Sequence, residues 1–169
     1  MISRNRLSVI GALAVSLIAA ACGGSPTSPN GNTVDFTGTW QGNWQRTSCS
    51  ESGGAAGAAC NATPTSGALR LTLTQTGTSV SGNVEVASFL IPGAGSVSAN
   101  GTLNLTGSAR ITFLVDGVPR SATGTLSNWS TTRSGNTMNG SFTLTIVADN
   151  QAFGTQTLVL TLQGVTKTS

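Results

Sequence analysis

The chain has 169 residues, with eight basic and five acidic side chains, no histidine and no tyrosine. Without histidine, neither a Ser-His-Asp nor a Cys-His nucleophile can be built. Arg4 and Arg6 lie at the extreme N-terminus, so the chain beyond residue 22 holds six basic residues against five acidic ones and carries no electrostatic signal for nucleic acid. Charge is sparse while Thr, Ser, Gly and Asn abound, a composition that argues against disorder and suits an all-β domain with Thr on its wet faces.

Arg4 and Arg6 precede an apolar run from Leu7 to Ile18, which ends in Ala19-Ala20-Ala21-Cys22. A basic start, a short apolar stretch and small residues predict a cleaved N-terminal signal helix over residues 1–21. The run is shorter than the ~20 apolar residues of a membrane span. Ala19-Ala20-Ala21-Cys22 resembles the bacterial lipobox, with Ala19 standing where Leu is usual. The resemblance implies that Cys22 becomes the first mature residue and carries lipid. Gly23 follows, where Asp would imply inner-membrane retention, so the resemblance also implies sorting to the outer membrane of a bacterial cell envelope. Residues 22–34, rich in Gly, Ser, Pro and Asn, read as a tether with a reach of roughly 20 Å.

Beyond the tether, alternation with period two recurs to the C-terminus. Strand A is expected over Asp35–Arg46, with Phe36, Gly38, Trp40, Gly42 and Trp44 on one face. Strand B, Gly67–Thr76, turns Leu69, Leu71 and Leu73 inward, and Gly77-Thr78 leads to strand C with Val80, Val84 and Val86. Strand D is expected over Ser96–Leu105, ending at a turn marked by Gly107. Strand E carries Ile111, Phe113 and Val115. Asp116-Gly117 is a strong hairpin signal. Strand F, Ser121–Trp129, has Ala122, Gly124 and Leu126 on one face, and the opposite parity of Trp129 predicts a bulge or an exposed indole. Strands G and H carry Met138, Phe142, Leu144 and Ile146, then Leu158, Leu160 and Leu162.

Eight strands joined by short connections predict an all-β fold, an eight-stranded up-and-down antiparallel β-barrel over residues 35–169. Recurrent inward glycines favour the barrel over a two-sheet sandwich. Phe36-Thr37-Gly38-Thr39-Trp40 resembles the Gly-x-Trp signature that opens the first strand of lipocalins, and the Gly-Thr-Trp of avidin-type barrels. The resemblance implies that Trp40 plugs the closed end, with Lys167 as the cation packed against it. It carries over a fold and no ligand.

Cys49 and Cys60 are the cysteines left in the exported domain. An oxidising compartment, and the lack of histidine or further cysteine for a metal set, predict that they form a disulfide. No metal, cofactor or enzymatic activity is expected. Connections A–B (Thr47–Ser66), C–D (holding Phe89, Leu90 and Ile91) and G–H (holding Phe153) would place apolar loops at one end of the barrel, with the opposite end closed by shorter turns. Phe89, Leu90, Ile91 and Phe153 are therefore the candidate ligand-binding residues of a barrel mouth. The expected function is a membrane-anchored lipoprotein that binds a small apolar molecule in or at this mouth. A protein-binding barrel, acting through the same loops as an enzyme inhibitor or envelope interaction module, is the alternative. Nothing in the sequence sets an oligomeric state.

Overall fold

The structure is a computed structural model that describes residues 34–53, 58–115, 118–150 and 154–169. Cys22, Phe153 and the signal sequence lie outside the described residues. Eight antiparallel strands form a closed up-and-down barrel in chain order: β1 Gly38–Ser52, β2 Ser66–Thr76, β3 Ser79–Val86, β4 Phe89–Val97, β5 Thr102–Val115, β6 Val118–Ser134, β7 Thr137–Ala148 and β8 Thr155–Lys167. A single-turn helix, α1 Ala58–Ala62, lies in the β1–β2 connection.

The alternation dictates the layering. Trp40, Trp44, Leu71, Val84, Leu103, Leu126, Phe142 and Leu160 are buried inside, while Thr72, Asn83, Thr106 and Thr132 face outward. This is the reverse of an outer-membrane barrel, whose outward band is apolar. At the closed end the core is filled by large rings. Trp129 stacks on Phe142 with centroids 4.4 Å apart, and Phe36 lies 6.4 Å from Trp40. The parity change at Trp129 is a bulge: the β6–β7 register shifts between Ser127 and Ser130, Asn128 takes φ 49°, and Trp129 stays buried.

Four expectations are corrected. First, β1 does not end at Arg46. It continues through a register shift at Arg46/Ser48, so Cys49 and Glu51 are strand residues paired with Leu158 and Gln156. Second, residues 89–93 are not a loop. They form β4, joined to β3 by the two-residue turn Ala87-Ser88, both residues at positive φ (49° and 68°). Ala-Ser lacks the Asn or Gly that usually signals such a turn. The inward demand of Val86 and Ile91 fixes the hairpin all the same. Third, the predicted strand D straddles a turn over residues 98–101. Gly107 is no turn but lies inside β5, at the end of a register shift between Leu103 and Gly107. Fourth, strand F does not end at Trp129: β6 runs on to Ser134, and the β6–β7 connection is the tight turn Gly135-Asn136.

Candidate functional site: the disulfide-bound barrel mouth

Both described termini of the barrel lie at the closed end, where Thr39 N–H donates to Ser169 O over 2.8 Å. Trp40 is fully buried at this end, and its indole N–H donates to Phe36 O over 2.8 Å. The cation on its ring is Arg133, not Lys167. Lys167 stands opposite Trp40 in the β1–β8 register, but its Cε lies 2.5 Å from where a Cβ on Gly38 would be. It runs along the Gly38 backbone, leaving the ring face to Arg133.

The opposite end carries the β1–β2, β3–β4, β5–β6 and β7–β8 connections. Of these four, only the β1–β2 and β7–β8 connections are longer than two residues. The first is tied down at several points. Cys49 and Cys60 form the disulfide, with Cα atoms 5.8 Å apart. Closing a loop of this length stabilises by roughly 3 kcal/mol. Arg46 donates to Cys60 O over 2.6 Å, Glu51 accepts from Cys60 N–H, and Gln156 donates to Thr63 Oγ1 over 2.7 Å. Cys49, Glu51 and Cys60 group their ligand atoms closely, but the two sulfurs are bonded to each other and are not thiolates.

These residues line the inner rim. Arg46 opposes inward Leu160, Glu51 opposes Gln156, and Arg120 shares the parity of Ala122, Gly124 and Leu126. Among the described residues, this stretch of the rim is therefore polar, whereas the expected mouth residues are apolar. Parity alone points to Arg46, Arg120 and Gln156, whereas Glu51 becomes inward only through the bulge.

Of the expected mouth residues, Ile91 is fully buried in the core and Phe89 is half-buried against it. Leu90 points the other way. It is 60 % exposed on the outer wall, beside a concavity of about 170 Å³ lined by Arg70, Thr72, Asn83 and Glu85. The strand register separates these neighbours in sequence onto opposite faces.

The missed residue is Trp44. Three indoles are buried in this barrel. Trp40 donates to Phe36 O, and Trp129 donates to Thr131 Oγ1 over 3.0 Å. Among the described residues, Trp44 Nε1 is buried and meets no acceptor. Its ring covers Gly67, the second residue of β2, just after the pinned loop. A Cβ there would fall 2.7 Å from Trp44 Cζ2 and 3.0 Å from Nε1. A buried donor left without an acceptor costs about 1–3 kcal/mol.

No family model, curated protein or solved structure matches this chain.

Proposed function

We propose that this protein is an envelope lipoprotein, anchored through Cys22, that binds a small, largely apolar molecule carrying a hydrogen-bond acceptor at the mouth of its barrel. One observation carries the reading: Trp44 Nε1 is a buried, unpartnered donor beneath the Cys49–Cys60 loop. An apolar body suits the surrounding core, and one acceptor answers the indole. The polar rim of Arg46, Arg120 and Gln156 suits a polar tip on the same molecule. The reading is of binding, not catalysis.

The lipid anchor rests on Ala19-Ala20-Ala21-Cys22. Cys22→Ala releases the protein from the membrane fraction; a variant that still sediments with membranes through detergent-sensitive attachment overturns the anchor. Native extraction of the full chain, followed by identification of co-purified small molecules, tests the ligand. A lipid or isoprenoid supports it. Protein that is free of any such molecule, and that takes up none from an envelope lipid extract, contradicts it.

A further inference from the structure

The cystine of the mouth sits beside a third donor. Cys49 Sγ, Cys60 Sγ and a carboxylate oxygen of Glu51 all lie within 4.8 Å of one another, and all three residues are half-buried. Two cysteines without histidine fall short of a zinc set. The bulge at Arg46/Ser48 supplies the missing donor by turning Glu51 to the same inward face as Cys49.

These donors do not depend on the S–S bond alone for their places. Arg46 donates to Cys60 O over 2.6 Å, the Glu51 carboxylate accepts from Cys60 N–H, and Gln156 donates to Thr63 Oγ1 over 2.7 Å. These bonds hold the connection against β1 and β8 whether the sulfurs are joined or parted. Reduction therefore leaves two thiols already gathered next to a carboxylate, with most of the loop-closure cost of a metal site already met.

The rest of the cluster suits a thiophilic divalent cation. Two thiolates and one carboxylate are a donor set for Zn2+, with water as the fourth ligand. Tetrahedral bonds of ~2.3 Å set the sulfurs about 3.8 Å apart. Side-chain rotation on Cα atoms 5.8 Å apart supplies that parting. A carboxylate accepts at about four lone-pair positions, so the bond from Cys60 N–H does not exhaust Glu51. Gln156 Nε2 lies 3.6 Å from Cys49 Sγ, placed to donate to a metal-bound thiolate. Three anionic donors around Zn2+ leave one net negative charge, which the Arg46 guanidinium beside Cys60 offsets.

We propose that Cys49, Cys60 and Glu51 form a redox-gated zinc site, closed as the disulfide and opened by a dithiol reductant. The dithiol delivers two electrons and two protons to the cystine and leaves as its own disulfide. Zn2+ then displaces the two thiol protons to water and forms two Zn–S bonds and one Zn–O bond. The inference is independent of any ligand at Trp44.

Cobalt(II) titration of the Cys22→Ala full chain in mild detergent tests it, because only Cys49 and Cys60 then supply thiols. The protein is reduced with dithiothreitol and freed of it under exclusion of air. The reduced form is expected to bind one Co2+ per chain with a near-ultraviolet thiolate-to-cobalt band, to yield the site to Zn2+, and to keep the far-ultraviolet dichroism of the oxidised form. The oxidised form is expected to show no such band. Glu51→Gln, which leaves both cysteines in place, is expected to keep the band and lose at least about tenfold in Co2+ affinity. Glu85→Gln, on the exposed outer wall, is expected to change nothing. A reduced chain that unfolds, one that binds no Co2+ or binds it without the thiolate band, or a Glu51→Gln variant of unchanged affinity overturns the proposal.

Discussion

Arg133 lies over the indole of Trp40, its guanidinium carbon 5.3 Å from the ring centroid. The same side chain donates to Gly135 O and to Asp35 O, so it ties the β6–β7 turn and the lead into β1 to one plug. A guanidinium on an indole is worth about 0.5–2 kcal/mol. Arg133→Ala is expected to lower stability by about 1–2 kcal/mol in urea melts. Lys167→Ala, which removes no ring contact, costs less. Equal losses would mean that the plug does not depend on the ring face.

The Ala87-Ser88 turn holds two ordinary residues in the left-handed region. Each such residue costs roughly 1–2 kcal/mol relative to a right-handed conformation. Replacing the pair by Asn-Gly, which favours this turn, is expected to raise stability by about 1–2 kcal/mol with the inward pattern unchanged. The denaturant midpoint is the readout. A loss would show that the side chains at 87 and 88 matter more than their backbone.

That turn also marks where the sequence was hard to read. Leu69-Leu71-Leu73 and Leu158-Leu160-Leu162 announce their strands because each inward residue is large and each outward one polar. Trp129 announces its bulge because its parity breaks. β4 announces nothing: Pro92-Gly93-Ala94-Gly95 reads as loop, and Ala87-Ser88 lacks turn chemistry. Yet Gly95 is needed where β4 runs close to β5, since a Cβ there would meet Asn104 O at 1.8 Å. Tertiary approach, invisible in one strand's pattern, converts a breaker into a strand residue. Glu51 was hidden by a different device, because the bulge at Arg46/Ser48 resets which β1 residues face inward.

Asp35 gives a pH signature at the closed end. The backbone N–H of Thr37, 2.8 Å away, holds its carboxyl below the ordinary value, with help from the Thr37 hydroxyl and the positive charges of Lys167 and Arg133. A depressed folded-state value means stabilisation present above the unfolded carboxylate value of about 4, and lost as pH falls through the folded one. Asp35 is exposed, so the effect is small. Asp35→Asn is expected to melt slightly lower than wild type at neutral pH and level with it below the folded-state value. A gap that persists in acid would point to packing rather than charge.

The central claim is that the unpartnered indole of Trp44 marks a ligand site. Native mass spectrometry of full chains extracted from the same envelope, wild type against Trp44→Phe, measures it most directly. Phenylalanine keeps the ring over Gly67 and removes the N–H. The account predicts a bound small molecule on the wild type and a largely empty variant of unchanged fold. A wild type that is empty, or a variant that retains the same molecule to the same extent, would contradict it.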